Sequence, residues 1–229
     1  MEENTRLVNG HPHIRYTRET YPPDVATKKS AEFYKWLDKR RTVRDISDKP
    51  VPRELMENLV MSASSAPSGA HKQPWTFCLI ADKKIKSEIR RAAEKEEFKS
   101  YSGRMSERWK RDLAPLGTDW HKPFLETAPW LVVVFKQVYE VDENRTKYNN
   151  YYVGESVGIA CGLFLTALHN AGLVTLTHTP SPMNFLTRIL NRPDSERPFL
   201  LLPVGYPQDE AYVPNIKRKS LNEVAVFYD

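Results

Sequence analysis

Residues 130 to 135 read WLVVVF, six positions without a polar side chain and with three β-branched residues in a row. A strand with one wet face alternates apolar and polar residues, so an apolar run without alternation reads as a strand buried on both faces. Whatever fold this chain adopts must therefore lay apolar cover on each side of that strand.

The remaining sequence offers helices for the purpose. Phe33, Tyr34, Trp36 and Leu37 recur at helical spacing between Ser30 and Arg41, and Pro52 opens a second helix whose Leu55, Leu59, Val60 and Ala63 form one face before Pro67 ends it. WTFCLIA (75 to 81) reads as a strand, residues 83 to 95 as a charged helix and 102 to 113 as a further helix. The longest helix is expected over residues 153 to 171, closed by Gly172 in a left-handed cap. Its Gly154, Gly158 and Gly162 share a face and would let another backbone come close, inside the core or across a dimer. LVTLT (173 to 177) is a strand, 182 to 190 a helix, FLLLPVGYP (199 to 207) a strand running into a turn, and VAVF (224 to 227) a last short strand. This alternation implies an α/β or α+β sheet covered by helices. Residues 1 to 27, with Pro12, Pro22 and Pro23, read as an extended arm, and 28 to 229 as one domain.

Charge and cysteine usage narrow the function classes. With 34 Lys+Arg against 29 Asp+Glu the net charge is +5, and no run of five or six like charges marks a nucleic-acid-binding tail. Cys78 and Cys161 have neither CxxC pairing nor a histidine at metal spacing, which argues against a disulfide scaffold or a zinc site and for a reducing compartment. The polar start lacks the apolar core of a signal peptide, and no ~20-residue apolar span follows. A soluble, cytoplasmic chain is the expectation.

No GxGxxG, P-loop or GxSxG occurs, no Ser/His/Asp or Cys/His set can be assembled, and His71, His121, His169 and His178 are scattered without ligand spacing. Four softer features stand out. In RRTVR (40 to 44) the guanidiniums of Arg40, Arg41 and Arg44 could turn toward one phosphate, for which a planar fork is suited, although cations at a helix C-terminus answer the helix dipole equally well. In APSGAHKQPW (66 to 75) the small residues Ser68, Gly69 and Ala70, bounded by prolines, either expose main-chain N–H groups to a ring or make an ordinary tight turn. THTP (177 to 180) places two hydroxyls and an imidazole just past a strand end, where open sheets bind ligands. Glu97 and Tyr101 lie four apart with Lys122 further on, a pattern that also fits a solvated helix surface.

Taken in order and spacing, RRTVR, the APS...QPW loop, the glycine-spaced helix before LVTLTHTP, LLPVGYP and the closing KRK resemble the nitroreductase-type flavoprotein superfamily. The longer stretches PSGAHKQPWTF, EKEEFKSY, GRMSERW, TDWHKPFLETAP, YYVGESVGIACG and VPNIKRK are similar to its iodotyrosine deiodinase branch. The resemblance implies an α+β, nitroreductase-like mixed sheet flanked by helices, in a domain-swapped homodimer with FMN at each of two shared interface sites. It implies that Arg40, Arg41, Arg44 and Arg218 hold the FMN phosphate and ribityl oxygens, with Thr42 and Val43 in the same contact segment. Pro67, Ser68 and Gly69 would lie against the isoalloxazine ring, and Thr177, His178 and Thr179 would line the flavin edge, with Thr179 near N5 in a catalytic role. Glu97, Tyr101 and Lys122 would form a lid that reads the ammonium and carboxylate of a free amino acid, while the Ala70 N–H holds its phenolate oxygen.

The implied reaction is reductive dehalogenation of halotyrosines. The implied partners are the halotyrosine, a second copy of the chain and an external electron donor, NADPH through a reductase among the candidates, with no nucleic acid and no membrane. Two rivals carry different expectations. A nitro or quinone reductase of the same superfamily would have an open site, and a non-enzymatic module binding nucleic acid or protein through its basic patches would be colourless, with strongly salt-dependent polymer binding.

Overall fold

The structure is a computed structural model that describes residues 4–228; residues 1–3 and 229, the outer ends of the expected arm and domain, lie outside the described residues. Residues 1–40 and 41–229 form two compact units.

The first unit holds a hairpin and a helix. Strands β1 (Thr5–Val8) and β2 (His11–Ile14) pair antiparallel through Asn9 and Gly10, which take φ of 51° and 82°. Asn-Gly with both central residues left-handed matches the right-handed twist of the strands it joins, so these residues form a hairpin where the prolines of the region predict an extended arm. Helix α1 spans Pro23–Leu37 rather than 30 to 41, because the Pro22–Pro23 pair puts a proline at its first turn, where the fixed φ and missing N–H cost nothing. None of its residues is buried in this unit.

The second unit is built around β4 (Trp130–Gln137), the strand the sequence picked out. In chain order it comprises α2 (Arg53–Ser64), β3 (Trp75–Ile80), α3 (Lys83–Lys99), α4 (Glu107–Leu113), α5 (Phe124–Thr127), β4, the small hairpin β5 (Tyr139–Val141) and β6 (Lys147–Asn149), α6 (Val153–Asn170), β7 (Val174–Thr175), α7 (Asn184–Ile189), β8 (Glu196–Gly205) and α8 (Leu221–Val224). The sheet order is β3-β4-β8-β7. Its three ladders are all antiparallel, so no parallel pairing contributes to it among the described residues.

Period-two geometry divides β4 between two cores. Leu131, Val133 and Phe135 face a cluster with Ile89 and Ala93 of α3, Phe124 and Leu125 of α5 and Phe185 and Leu186 of α7. Val132 and Val134 face the other side, against Met56, Leu59 and Ala63 of α2 and Val157, Cys161, Phe164 and Leu168 of α6. The unit is thus an α+β sandwich, with α2 and α6 on one face of the sheet and α3, α5 and α7 on the other. Each apolar side chain fully buried here contributes about 1.5–3 kcal/mol.

Several boundaries moved. The helix expected over 102 to 113 is a π-type turn at Ser100–Arg104 followed by α4, which starts after Ser106 because that hydroxyl accepts from the Trp109 N–H at 3.2 Å. Residues 224 to 227 form no strand; α8 takes Val224 instead, nucleated by a capping box between Ser220 and Glu223. Gly172 adopts the expected left-handed conformation at φ 72°. On the face carrying Gly154, Gly158 and Gly162, by contrast, a Cβ added to any of the three would meet nothing within 4 Å among the described residues. No described helix is long and apolar enough to cross a membrane.

Candidate active site

Residues 41 to 45 form no helix, and the Ile46 N–H donates to the Arg44 carbonyl at 3.0 Å, so the helix ahead of RRTVR does not run through it. Helix α1 stops at Leu37, and the β-branched Val43 instead buries its side chain while its N–H donates to the Thr175 carbonyl at 3.1 Å. Ile46 bridges to Pro207, two residues past the end of β8. Gly205 permits this docking, because a Cβ there would lie 2.7 Å from Ile46 Cγ2 and from Pro129 Cδ. The segment is thereby fixed to the sheet, with Arg41 and Arg44 half-buried and Thr42 exposed. Arg41 donates through Nη2 to the Pro214 carbonyl, which secures the chain four residues before the exposed Arg218. Arg40 is the last residue of the first unit.

Arg44 Nε is a buried donor with no partner among the described residues. Burial lowers the Arg44 pKa, and Tyr101 and Asp45 oppose that shift. An orphaned buried donor on a guanidinium leaves a position for an acceptor, ideally an anion.

The loop before β3 is strained. Ala70, His71 and Gln73 take φ of 47°, 57° and 48°, a left-handed conformation that costs a non-glycine residue about 1–2 kcal/mol. The loop is held by Ser68, whose hydroxyl accepts from the Gln73 N–H at 2.9 Å and whose carbonyl accepts from the His71 N–H at 3.0 Å. Pro67 and Ala70 are exposed, Ser68 and Gly69 half-buried. One side of this loop is less bare than its small residues suggested, since a Cβ on Gly69 would meet Tyr152 Cδ2 at 3.0 Å and the Tyr151 carbonyl at 3.2 Å. Tyr152 is itself left-handed, at φ 52°, where it caps α6. Several left-handed non-glycines held by surrounding bonds within one short region are the kind of strain that collects at functional sites.

Glu97, Tyr101 and Lys122 are brought together. Glu97 ends the buried side of α3, Tyr101 sits in the following π-type turn, and Lys122 precedes α5. Lys122 is 3 % exposed, and its Nζ lies 3.6 Å from Glu97 Oε2 and 5.8 Å above the Tyr101 ring. The ammonium donates to Thr118 Oγ1 at 3.1 Å and to the Asp119 carbonyl, and Tyr101 Oη donates to the Thr118 carbonyl at 3.1 Å. Burial raises the Glu97 pKa and lowers that of Lys122, and in each case the partner's charge opposes the shift without cancelling it. At 3.6 Å the pair is too loose to repay the desolvation of both charges. Burial likewise raises the Tyr101 hydroxyl, with Glu97 adding to the effect. Arg44 acts electrostatically on both Tyr101 and Lys122, which joins the RRTVR segment to this trio.

Residues 177 to 179 are separated by strand alternation. Thr177 and Thr179 are exposed, whereas His178 is buried and pairs through its N–H and carbonyl with Leu201 at 2.9 and 3.0 Å. Its imidazole therefore lies on the opposite side from the two hydroxyls, edge-on to Phe124 at 6.1 Å. Two clefts, of about 800 Å³ beside Lys86 and Trp130 and about 470 Å³ between α2 and α6, contain none of these residues. The sequence reading missed Thr118 and Asp119, which hold Lys122, and the Tyr151–Tyr152 pair against Gly69; the adjacent tyrosines just before the glycine-spaced helix were the available signal for the latter.

A family model described as the nitroreductase family matches residues 37–206, spanning the arginine segment, the strained loop, the Glu97–Lys122 region and the sheet. The chain belongs to the nitroreductase family. Within this family it is 60% identical to an iodotyrosine deiodinase of Haliscomenobacter hydrossis, over 94% of this chain and 97% of that protein. It is 47% identical to human iodotyrosine deiodinase 1, over 93% of this chain and 74% of that one. A crystal structure of oxidized iodotyrosine deiodinase bound to FMN and 3-iodo-L-tyrosine superposes with a TM-score of 0.74 at 35% identity, covering 86% of this chain and 98% of that chain. Among nitroreductase-family folds, the buried acid–lysine–tyrosine cluster and the orphaned arginine donor are the features of this chain that bear on which chemistry it performs.

Proposed function

We propose that this chain is an FMN-dependent reductive dehalogenase of halotyrosines, converting 3-iodotyrosine and 3,5-diiodotyrosine to tyrosine and halide. The observation that carries the reading is the buried Lys122–Glu97 pair beside Tyr101. Each of these charges is desolvated more than its partner compensates, so each gains from an incoming opposite charge: the ligand ammonium at Glu97 and the ligand carboxylate at Lys122. A free amino acid offers both, and a nitroaromatic or quinone offers neither. The similarity to iodotyrosine deiodinases supports the halotyrosine in particular.

Arg44, with its open buried Nε–H, fits an anionic or oxygen-rich cofactor, and Arg40, Arg41, Thr42, Val43 and Arg218 complete the proposed FMN contacts. When bound, FMN supplies the two electrons that, with a proton, replace the carbon–halogen bond by carbon–hydrogen and release halide. The chain's own groups then position and shield. Pro67, Ser68 and Gly69 would line the flavin on one side, and Thr177 and Thr179, both exposed, would hold its edge, with Thr179 the hydrogen-bond donor to it. The strained loop would hold the Ala70 N–H in one direction, where it can donate to a phenolate oxygen. Halogens lower a phenol's pKa, so a rigid N–H donor favours halotyrosine over tyrosine. The lid residues 97, 101 and 122 exclude water from the reacting ring.

The functional molecule is a homodimer with exchanged terminal segments and two interface sites. In its support, a Cβ on the glycine face of α6 would meet nothing within 4 Å among the described residues, Ile159 and Leu163 on that helix are exposed, and so are Tyr212, Ile216, Leu221, Val226 and Phe227 near the C-terminus. We assign it to the cytoplasm, with an electron donor from outside the chain.

The decisive experiment is to purify the protein, record its visible spectrum and titrate bound flavin with 3-iodotyrosine, tyrosine and 2-iodophenol while following fluorescence. Strong quenching by 3-iodotyrosine alone is expected. A protein that binds no FMN, or that binds iodophenol as tightly as iodotyrosine, would refute the reading.

A further inference from the structure

His178 has an unused group. Its side chain is almost wholly buried, its backbone is committed to Leu201, and ring Nε2 has no hydrogen-bond partner among the described residues. A buried acceptor or donor left open costs about 1–3 kcal/mol, which an aliphatic side chain of similar size would avoid.

The surroundings suggest what occupies it. Phe124 meets the imidazole edge-on at 6.1 Å, and Lys122 stands two residues before Phe124 on the same segment. Arg44, on the segment before α2, acts electrostatically on the same ring, as Lys122 does. Both cations oppose protonation of the ring, after burial, and the imidazole is held neutral with its pKa down to about 3. A neutral imidazole keeps one ring nitrogen unprotonated as an acceptor. Lys122 is at present engaged by Thr118 Oγ1 and the Asp119 carbonyl, with Glu97 at 3.6 Å. To meet a ligand carboxylate the ammonium has to turn, and a lysine ammonium on its flexible stem has no preferred direction of its own.

We propose that His178 is a positioning residue for Lys122, its unprotonated ring nitrogen accepting one N–H of the ammonium as that group turns to the ligand carboxylate. The inference rests on the halotyrosine reading of Glu97, Tyr101 and Lys122 and adds to it the group that aims the lysine.

The test uses the FMN-loaded parent, His178→Leu, which fills the space without an acceptor, and His178→Gln, which places an amide near the Nε2 position. Dissociation constants for 3-iodotyrosine and 2-iodophenol are read from flavin fluorescence. His178→Leu should weaken 3-iodotyrosine by about tenfold and leave 2-iodophenol, which lacks a carboxylate, within about twofold, with His178→Gln recovering most of the loss. Equal weakening of both ligands, or identical behaviour of the two variants, would overturn the proposal. If His178→Leu does not retain FMN, nitrogen-15 NMR of the parent decides: 3-iodotyrosine, and not 2-iodophenol, should shift the unprotonated imidazole nitrogen toward its hydrogen-bonded position, and an unmoved resonance overturns the proposal. Failure of the underlying reading is separately visible, since the parent would then lack FMN or fail to distinguish the two ligands before any variant is compared.

Discussion

Replacing Ala70 by glycine should make the protein more stable and a poorer binder of its substrate. Ala70 sits at φ 47° and ψ 31°, a conformation that costs an alanine about 1–2 kcal/mol. Glycine adopts it freely but loses more backbone entropy on folding, about 0.5–1 kcal/mol. The difference favours Ala70→Gly by about 0.5–1 kcal/mol. For a chain of this size each kcal/mol moves the melting temperature by about 2–4 °C, so a rise of about 1–4 °C is expected. Ala66, buried and without positive φ, provides the control, and Ala66→Gly should melt lower than the parent. The stabilised loop would aim the residue-70 N–H less sharply, so the dissociation constant for 3-iodotyrosine should rise by a few-fold even as melting improves. Calorimetry on the two variants with flavin titrations alongside makes the comparison. A lower melting temperature for Ala70→Gly, or a rise in both variants, would show that the loop stores no strain at this residue.

Three further outcomes are expected. Lys122→Gln removes a charge-assisted contact worth about 1.5–3 kcal/mol, so KM for 3-iodotyrosine should rise roughly tenfold or more while the visible flavin spectrum stays unchanged; steady-state kinetics with absorbance spectra check both. His178 is held down to about pH 3 in the folded protein against 6.5 for the free group, so below pH 6.5 the unfolded chain binds a proton that the folded one refuses, and stability falls as pH falls toward 3. Denaturant melts of parent and His178→Leu should diverge over that window by about 1.4 kcal/mol per pH unit, and parallel curves would contradict the buried neutral imidazole. Gly158→Ala meets nothing within 4 Å among the described residues and would gain about 1 kcal/mol of helix propensity in a monomer; in the proposed dimer it should instead weaken association, measured by sedimentation at falling concentration.

Much of the second unit was legible in the sequence because its signals are local. The run at 130 to 135 dictated cover on both faces, and β4 does alternate between two cores. Gly172 takes the left-handed cap expected of it. Resemblance, not spacing, gave Glu97, Tyr101 and Lys122 a role, since on pattern alone they fit a solvated surface equally well. Misread elements had competing local cues. Pro12 and Pro22–Pro23 suggested an arm where Asn9-Gly10 makes a hairpin, and the helical spacing around Trp36 suggested a helix reaching Arg41, whereas α1 stops at Leu37 and Val43 enters the core and bonds to Thr175.

By itself, then, the amino-acid order determined which segments become strands and helices and which faces are apolar, since backbone period and side-chain polarity act between neighbours. The tertiary structure alone decided that Lys122 comes within 3.6 Å of Glu97 on a different element with both side chains largely out of solvent, that His178 turns inward while Thr177 and Thr179 do not, and that Tyr152 closes on Gly69. Those outcomes depend on how helices pack across a sheet, and on the desolvation that packing imposes, neither of which any stretch of neighbouring residues contains.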